Sequence, residues 1–494
     1  MSLKSFACLA TVLLCTLSLR AQKPQSHTLV YAPGKSITLS LPDNLDINVA
    51  ASGLRRVRFM AQAPDGRIFA TGMYNLADNT RGSVVILDGW DPKSHTFTHV
   101  IHYLDHLRNP NNIAFWTDPA THQSWLYLPL TDKLVRYKYN PGDNAPSGPP
   151  QTLAHFPDYG LNYKYGGWHL TRTIAFAPLQ GRTRLYLTAG SSCDYCRERE
   201  VIRATLSVMD PDGSHWQILA HGLRNAVDMQ YTPDLDGGAL FATNMGDDHL
   251  GDRLPEDTFF ELDSNDHPGP AAPPQCPAHT ECKFLFRPTN YGWPACYFAN
   301  GKPVLDRTPL PEMPAPGDLK TESERPKDAG VASHSRPTED TDSVYGEQAG
   351  MAKQGTLLAA SGGKTNIPDP DAKLGAVPPP LTSCNSVPAA YTTFAAHSSP
   401  LGLSFFGPAN PTLHGTFLVA LHGASHPRIG TGYRVVQFSP GDRTPRPFLT
   451  GFLTVAGKAV VHGRPCGILR VGPDSFLLTD DYLGLVYYVH PRGQ

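Results

Sequence analysis

The strongest constraint on the fold of this 494-residue chain is one repeated pattern: an apolar strand, a turn, and a second strand that ends in a small or polar residue. Strand-forming residues dominate each copy, with Gly, Pro, Asp and Asn at the turns. One copy is too short to bury its own apolar face, so copies must pack against each other. The six copies occupy residues 60–73, 112–137, 172–192, 222–252, 401–423 and 466–489.

This repeat predicts an all-β, six-bladed β-propeller. Self-similarity at a period of roughly 45–60 residues is typical of propellers and solenoids. A solenoid of this period is usually helical, and the sequence has no long helical periodicity, whereas four strands per repeat arranged radially leave little exposed strand edge. Composition agrees, because 47 Pro, 44 Gly and only 17% charged residues favour one large β domain over several α/β domains.

The N-terminus, residues 1–21, predicts an export signal peptide. Lys4 supplies the positive charge, residues 6–19 form an apolar core too short to span a bilayer, and Ala21 is expected to precede the cleavage point. No later segment of the sequence is apolar enough to cross a membrane. We therefore expect a periplasmic or secreted protein whose residues 22–44 lead into the propeller.

The propeller is expected in two parts, 45–300 and 384–494, separated by a segment of different composition. Residues 301–383 are Pro-rich, charged and poor in aromatic residues, so they lack the apolar surface needed to offset chain entropy. This predicts a disordered insertion, with a functional lid as the alternative. The formal net charge of −2 provides no basic field for nucleic acid or a membrane surface, so any cationic patch must be local.

Seven cysteines follow the signal segment, and disulfides are plausible in an exported chain. Cys193 and Cys196 form a CxxC that has neither a second CxxC for zinc nor a following His for haem attachment, which favours a local disulfide over two free thiols. Sequence alone does not fix the remaining connectivity. The pairings we consider are Cys276 with Cys282 and Cys296 with Cys384, with Cys466 as a buried free thiol.

Residues 222–252 place a cation and a cluster of oxygen ligands at opposite ends of strands. Arg224 and Asn225 open the segment, and a loop rich in Gly and Asp closes it. This combination suits an anionic cofactor held through a metal ion. The candidate metal ligands are Gly246, Asp247, Asp248 and Asp252, and Asx turns are the alternative role of the three Asp residues.

Short motifs follow one another in a distinctive order along the repeats. They are GGWHLTRTIAF at 166–176, SSCDYC at 191–196, GLRN at 222–225, NMGDDHLGDRLPED at 244–257, NYGWP at 290–294, and GRPCGI followed by LLTDDYLG at 463–484. Together they resemble the pyrroloquinoline quinone (PQQ)-dependent glucose/sorbosone dehydrogenases, and within them the L-sorbosone dehydrogenase-like branch. The resemblance covers the propeller repeats and excludes the insertion.

The resemblance implies an exported dehydrogenase that depends on PQQ and Ca²⁺. In that family PQQ lies at the mouth of a six-bladed propeller, and calcium bridges the quinone to backbone carbonyls. A His accepts the proton of a sugar or polyol hydroxyl while hydride moves to the quinone, and a separate electron acceptor then takes the electrons. The expected substrate is a sugar, an aldose or a sorbosone-like compound.

Residue by residue, the resemblance implies that His169 is the catalytic base and Arg224 the cation beside the quinone oxygen. A lone His is more often structural, and Arg224 taken alone has a surface ion pair as its alternative role. Asn225 either orients the substrate or caps a turn. Trp293 either stacks on a planar ring or is a turn aromatic. Arg464 matches an arginine that contacts the PQQ carboxylates.

Two positions depart from the family pattern, and both concern cofactor contacts. Cys466 stands where the glucose branch has a second basic residue, and residues 424–428 lack the usual Ser–Trp–Asn–Arg. Arg428 is displaced along the chain from the arginine position of the family, and it is the candidate residue to compensate for the altered cofactor contacts. In the calcium loop the matching positions are Gly246 and Asp247, and a second calcium on the three Asp residues is an open alternative.

Two other functions remain open at this stage. The first is a calcium-dependent hydrolase on a six-bladed propeller, such as a lactonase, which needs acidic and Asn side chains converging on one metal ion. The second is a non-catalytic carbohydrate-binding propeller, which the altered segment 424–428 favours. Fold alone does not decide among the three, because propellers host unrelated functions.

Overall fold

The computed structural model describes residues 23–74, 79–157, 169–179, 181–235, 237–262, 288–312 and 374–493. Almost all of its regular structure is β-strand, as the repeat predicted. Before the first blade the chain forms β1 (Pro24–Ala32), β2 (Lys35–Pro42) and β3 (Leu45–Ala51). Strands β1 and β2 pair antiparallel, so the segment expected only to lead into the propeller includes a folded ribbon.

The first three blades are four-stranded antiparallel meanders whose spatial order follows the sequence. The alternation of apolar and polar positions between closely spaced turns produces this arrangement. Blade 1 contains β4 (Val57–Gln62), β5 (Ile68–Gly72), β6 (Gly82–Asp91) and β7 (Thr96–Leu107). Blade 2 contains β8 (Ala114–Thr117), β9 (Ser124–Pro129), β10 (Lys133–Tyr139) and β11 (Gln151–His155), and blade 3 contains β12 (Arg172–Leu179), β13 (Arg182–Ala189), β14 (Thr205–Met209) and β15 (Gln217–His221).

Blade 4 is interrupted by a long excursion of the chain. Its first three strands are β16 (Ala226–Thr232), β17 (Ala239–Asn244) and β18 (Asp257–Glu261). The excursion includes β19 (Thr289–Asn290), which pairs parallel to β15, and the hairpin of β20 (Cys296–Ala299) and β21 (Lys302–Leu305). The fourth strand, β22 (Thr392–Phe394), then returns to pair with β18.

The last two blades close the ring. Blade 5 contains β23 (Pro400–Phe406), β24 (Thr416–Leu421), β25 (Arg434–Phe438) and β26 (Arg446–Leu449), with a 3₁₀ helix at Pro427–Ile429 between its second and third strands. A small hairpin of β27 (Leu453–Thr454) and β28 (Val460–Val461) follows. Blade 6 contains β29 (Pro465–Arg470), β30 (Phe476–Asp480), β31 (Leu485–Pro491) and, as its outer strand, β3 from the N-terminal part of the chain.

The six blades confirm the predicted six-bladed propeller. Each predicted repeat covers all or most of the first two strands of one blade, and the repeats at 112–137 and 466–489 also extend into the third strand. The first strands contact one another in a ring whose order is β4, β8, β12, β16, β23 and β29, and β29 contacts β4. These strands occupy equivalent positions and therefore run the same way along the central axis. Residues just before a first strand, and residues just after a second strand, consequently lie at the same mouth of the propeller.

Apolar clusters between neighbouring blades form the core. Phe69 of blade 1 packs edge-to-face on Phe115 and Tyr139 of blade 2. Between blades 4 and 5, Phe241 and Phe417 are fully buried and lie 4.8 Å apart between ring centroids. Such aromatic pairs bury large areas and favour tilted contacts. The propeller is thus held by interfaces between blades, which leaves the axial mouth to polar groups.

The predicted insertion begins later than expected. Strand β21 lies inside the range 301–383, and Leu305 packs against the apolar cluster that contains Phe298. The prediction of disorder was therefore wrong for residues 301–312, because the average composition of the long segment concealed a short apolar strand at its start. Residues 313–373 lie outside the described residues, and at the far end of the predicted insertion Leu374 and Leu381 also pack against apolar clusters.

Two of the predicted disulfides are confirmed. Cys193 is bonded to Cys196, and Cys296 is bonded to Cys384 across 88 residues of sequence. Cys466 is a buried free cysteine, as predicted. The proposed pairing of Cys276 with Cys282, and the signal segment 1–21, lie outside the described residues. Within the described ranges no helix is long and apolar enough to cross a membrane.

Candidate active site at the mouth of the propeller

The mouth of the propeller is lined by polar side chains from every blade. In each blade the segment that leads into the first strand includes a polar residue, which places it near the start of one strand of the central ring. These residues come from adjacent blades, so they meet although they are far apart in sequence. In order from blade 1 to blade 6, the residues that precede the first strands include Arg56, Asn111, His169, Arg224, His397 and Arg464.

His169 is held by the loop that follows β13. Its Nδ1 lies 3.0 Å from the carbonyl oxygen and 2.8 Å from the Oγ of Ser191. Because Ser191 Oγ donates its own proton to the carbonyl of Cys193, Nδ1 must carry the proton of the imidazole ring. The acceptor lone pair of neutral His169 is then on Nε2. Burial, and then the positive charge of Arg224, lower the pKa of His169 well below its usual range.

Gly190 allows His169 and Asn225 to approach each other. A Cβ at position 190 would overlap the Cβ of His169 and lie 2.8 Å from Oδ1 of Asn225. Asn225 is only 6% exposed, and its Oδ1 has no hydrogen-bond partner among the described residues. A buried amide oxygen without a partner is costly, so this atom is a candidate for binding a ligand hydroxyl or amide. We call His169, Gly190, Ser191, Arg224 and Asn225 the His169 cluster.

Arg224 is buried and oriented by three hydrogen bonds. Its Nε donates to the carbonyl of Asp194 at 2.9 Å, its Nη2 donates to Oδ1 of Asp194 at 2.5 Å, and its Nη1 donates to the carbonyl of Gly246 at 2.5 Å. The guanidinium is 4% exposed as a side chain, which excludes the alternative of a surface ion pair. The carbonyl of Arg224 also accepts the backbone N–H of Ser191 at 2.7 Å, which joins Arg224 to the loop that holds His169.

Trp293 is a buried neighbour of Arg224. Its indole Nε1 donates to the carbonyl of Asp194 at 3.2 Å, and the side chain is 7% exposed. Together with Arg224, Gly246 and Asp247 it lines a small cleft. Trp293 and Arg224 thus share the carbonyl of Asp194 as acceptor, and the predicted stacking of Trp293 on a cofactor stays a prediction.

Three of the four predicted metal ligands contact other groups of the protein. The carbonyl of Gly246 accepts Arg224, and its N–H donates to Oδ1 of Asp257 at 2.7 Å. Oδ1 of Asp247 lies 2.8 Å from Nδ1 of His249, and Oδ1 of Asp248 lies 3.0 Å from Nδ1 of His397.

These carboxylates do not converge on one point. Asp252 is exposed at the end of the loop. Among the described residues, the one group of metal-ligating side chains close enough to share an ion is Cys193, Cys196 and Glu198, in which both thiols are used by the disulfide. The assignment of Gly246, Asp247, Asp248 and Asp252 to a metal stays a prediction. The side chains of Asp247 and Asp248 lie against His249 and His397, and Oδ1 of Asp247 has no hydrogen-bond partner among the described residues.

Asp257 and His397 organise the same loop, and the sequence reasoning missed both. Asp257 accepts the N–H of Gly246 at 2.7 Å and the N–H of Ser399 at 2.8 Å, and burial raises its pKa to about 7. The hydrogen bond from His397 is the main effect that lowers the pKa of Asp248 to about 2 against the opposing effect of burial. No sequence spacing pairs His397 with Asp248 or Ser399 with Asp257, because the fold brings each pair together across more than one hundred residues.

Arg464 lies two blades farther round the ring, in a second polar group. Its guanidinium donates to the carbonyls of Gly423 and Ala424 and, at 2.9 Å, to the hydroxyl of Tyr433. These bonds hold the altered segment 424–428 against blade 6. Arg428, the residue expected to compensate, is exposed on the 3₁₀ helix and has no hydrogen-bond or ionic partner among the described residues.

Asp481 is the centre of this second group, and the sequence reasoning did not single it out. Nη1 of Arg58 donates to it at 3.0 Å, Nη1 of Arg56 at 3.4 Å, and Nε2 of His422 lies 2.8 Å from its other oxygen. Burial lowers the pKa of His422 to about 4, while the surrounding cations hold the pKa of Asp481 well below its usual range. We call Arg56, Arg58, His422, Arg464 and Asp481 the Asp481 cluster.

Cys466 is not a reactive thiol. It is fully buried, and burial raises its pKa to about 12. It packs with Phe59, Val227 and Leu401 at the centre of the ring of first strands. A thiol in this environment behaves as a small apolar side chain.

Comparisons with known proteins identify the fold of the chain. No protein-family model and no curated protein sequence matches it. Among solved structures, the holo form of the pyranose dehydrogenase PQQ domain from Coprinopsis cinerea is 16% identical, with a TM-score of 0.57 over 92% of this chain and 97% of that one. An iodide structure of a Trichoderma reesei carbohydrate-active enzyme of family AA12 is 14% identical, with a TM-score of 0.56 over 91% of this chain and 97% of that one.

A calcium structure of the Trichoderma reesei enzyme is also similar, with 14% identity and a TM-score of 0.54 over 91% of this chain and 96% of that one. At these identities the similarity establishes a shared fold over nearly the whole length of each protein. The fold expected from the resemblance to PQQ-dependent glucose/sorbosone dehydrogenases is therefore confirmed. The L-sorbosone dehydrogenase-like branch stays a prediction.

Proposed function

We propose that this protein is a PQQ-dependent oxidoreductase that oxidises a hydroxyl group of a sugar or polyol, and that its reactive centre is the His169 cluster. One observation carries the proposal. A neutral histidine and an unpartnered buried amide oxygen meet around Gly190, and the buried guanidinium of Arg224 is close enough to lower the pKa of that histidine. These three groups match three needs of alcohol oxidation: a proton acceptor, a counter-charge and an orienting contact.

His169 is suited to accept the hydroxyl proton. The Nδ1–H group is fixed on Ser191, so Nε2 is the basic nitrogen, and the lowered pKa keeps the ring neutral near pH 7. The same lowered pKa makes His169 a weaker base than a free histidine. The proton transfer is therefore expected to accompany the loss of hydride rather than to precede it.

Arg224 and Asn225 are suited to hold the cofactor and the substrate. The guanidinium is preorganised by its three bonds, so it can oppose a negative charge without the reorganisation that water would need. Oδ1 of Asn225 can accept a substrate hydroxyl. When bound, PQQ would supply an electrophilic carbonyl carbon that takes up the hydride; Arg224 is the residue expected beside its quinone oxygen, and Arg464 the residue expected to face its carboxylates.

Calcium enters the proposal only as an expectation of the resemblance. The carboxylates predicted to bind it are paired with His249 and His397, so we assign no step to a calcium ion. For the hydrolase alternative, no observation favours it, because the acidic side chains of the mouth do not converge. Export through residues 1–21 remains part of the proposal, and N-terminal sequencing of the protein recovered outside the cytoplasm tests it.

The decisive experiment titrates the purified protein with PQQ, with and without Ca²⁺, and follows absorbance before and after adding a panel of aldoses, sorbosone and polyols. We expect stoichiometric binding and a substrate-dependent loss of the oxidised quinone spectrum. His169→Gln should lower turnover by about 10²- to 10⁴-fold, the usual contribution of a positioned base, while PQQ still binds.

The matched control is His102→Gln, because His102 is an exposed histidine on the outer strand of blade 1. It should leave both binding and turnover unchanged. Wild-type turnover in the His169 variant would refute the assignment of the base. Failure of the wild-type protein to bind PQQ would refute the proposed function and favour the carbohydrate-binding alternative, which binding of the same sugars without cofactor would then support.

A further inference from the structure

The loop closed by Cys193 and Cys196 contacts three parts of the mouth through one residue. Asp194 accepts Arg224 twice, once on its carbonyl and once on Oδ1. The same carbonyl accepts the indole N–H of Trp293, and the same Oδ1 accepts the backbone N–H of Asp248 at 2.9 Å. One side chain and its own carbonyl thus connect blade 4, the Asp-rich loop and the turn at Trp293.

The disulfide fixes the position of Asp194. Both cysteines are buried, at 7% and 3% exposure, and the bond closes a loop of four residues. On one side of the loop, Ser191 links the Cys193 carbonyl to His169. On the other side, the carboxylate of buried Glu198 accepts the N–H and the hydroxyl of Ser192. With both sides anchored, Asp194 has little freedom to follow a displaced Arg224.

We propose that Asp194 is the positioning residue of Arg224, and that the Cys193–Cys196 disulfide is the element that holds Asp194 in place. The role in catalysis rests on the proposed function, whereas the restraint on Arg224 does not. Arginine has a long side chain with many rotamers, and a buried guanidinium without a counter-charge is strongly destabilising. Asp194 provides the charge, and its paired acceptors select one orientation of the guanidinium plane.

The proposal differs from a purely structural role of the loop in what it predicts for Arg224. If Asp194 only stabilised the fold, its loss would lower thermal stability but would leave the behaviour of Arg224 in the folded protein unchanged. If it positions Arg224, its loss must release that side chain below the unfolding temperature. Asp194→Asn tests this, because the amide keeps the shape and the backbone carbonyl but removes the charge. Asp194→Glu keeps the charge on a longer stem.

The first readout needs no cofactor. Phenylglyoxal modifies accessible guanidinium groups, and peptide mass spectrometry of the modified protein gives the rate for each arginine. Arg446 is the internal reference, because it lies on the surface in an exposed ion pair with Asp442. We expect Arg224 to be protected in the wild-type protein and modified about tenfold faster in Asp194→Asn, the opening permitted by loss of one charged hydrogen bond. Asp194→Glu should restore part of the protection.

The second readout is turnover of the PQQ-loaded protein. Asp194→Asn should lower kcat by about 10²-fold, the scale expected when a charged group at the reaction centre is misplaced by about 1 Å. Asp194→Glu should recover part of it, and Asp442→Asn, which removes the partner of a surface arginine, should have no effect. Cys193→Ser with Cys196→Ser should change both readouts in the same direction as Asp194→Asn.

The outcomes separate the two hypotheses. Unchanged modification of Arg224 in both the Asp194→Asn protein and the double serine protein would overturn the positioning role, whatever the activity. Faster modification of Arg224 in Asp194→Asn, combined with a wild-type protein that neither binds PQQ nor turns over, would support the restraint and refute the proposed function. If Asp194→Asn does not fold, the comparison between Asp194→Glu and the double serine variant decides, because both retain a buried counter-charge.

Discussion

A single methyl group at position 190 tests the geometry of the His169 cluster. Gly190 follows β13, and the Cβ of an alanine there would overlap the Cβ of His169 and lie 2.8 Å from Oδ1 of Asn225. Its backbone is outside the left-handed region, so alanine brings no conformational strain of its own. The effect of Gly190→Ala is therefore steric, and both neighbours belong to the proposed reactive centre.

The magnitude follows from the required displacement. Nonbonded carbon atoms are most favourable at about 3.5–4.0 Å, so His169 must move away by about 1 Å. Overpacking of this kind typically costs about 1–3 kcal/mol of stability. A displacement of about 1 Å at a reacting group lowers turnover by about 10²-fold. We thus expect a moderate loss of stability together with a larger, disproportionate loss of kcat.

The assay compares Gly190→Ala with Gly148→Ala. Gly148 lies in the exposed loop between β10 and β11, where an added Cβ meets no atom within 4 Å. Differential scanning calorimetry measures stability, and steady-state oxidation of the best substrate measures kcat and KM. The Gly148 variant should be indistinguishable from wild type in all three quantities. Wild-type kcat in a folded Gly190→Ala protein would show that His169 and Asn225 are not the reacting groups, and would refute the reasoning.

Two further predictions concern stability. His397 gains a pKa of about 9, mainly from its hydrogen bond with Asp248, so its stabilising contribution is complete below the unfolded-state pKa of about 6.5 and is lost as pH rises through about 9. Because the Asp248 side chain is 52% exposed, we expect the pair to contribute only about 1 kcal/mol to the free energy of unfolding. The melting temperatures of wild type and His397→Gln should therefore differ at pH 6 and converge near pH 10. A difference that stays constant with pH would contradict this prediction. Separately, Cys384→Ser removes the disulfide with Cys296. The 88-residue separation of the two cysteines implies that the free energy of unfolding falls by about 4–5 kcal/mol, by the loop-entropy relation. An unchanged urea midpoint under non-reducing conditions would contradict this prediction.

The repeat in the sequence predicted the blades but not how the ring closes. Each blade has its own pattern of strand and turn residues, so each of the six units can be recognised from its own stretch of sequence. The outer strand of blade 6 is β3, which pairs with β31 from the opposite end of the chain, and Leu45 lies opposite Pro491. No local pattern specifies a pairing across more than four hundred residues. The same holds for β22, which reaches blade 4 only after the long excursion.

The candidate site shows the same limit. His169 and Arg224 were predicted together from short motifs, and the fold brings them together because they precede the first strands of adjacent blades. The Asp-rich loop was predicted as a metal site from its own composition. In the folded protein Asp247 lies against His249 and Asp248 against His397, and His397 comes from a different blade. A loop sequence reveals how many ligands it offers, but not which partners reach them in the folded protein.

The two polar clusters at the mouth differ in their balance of charge. Asp481 carries one negative charge and faces both Arg56 and Arg58, while His422 is neutral near pH 7. Within the Asp481 cluster the three guanidinium groups of Arg56, Arg58 and Arg464 stand against the one carboxylate of Asp481, which leaves a surplus of positive charge in a protein whose formal net charge is −2. Burying an unbalanced charge costs free energy unless an ion of opposite charge binds beside it, so the Asp481 cluster is suited to bind an anionic group. In the His169 cluster, by contrast, the cation already has its counter-ion in Asp194, and what remains unsatisfied is an uncharged oxygen. We therefore interpret the Asp481 cluster as the side that holds an anionic cofactor and the His169 cluster as the side where a hydroxyl group reacts.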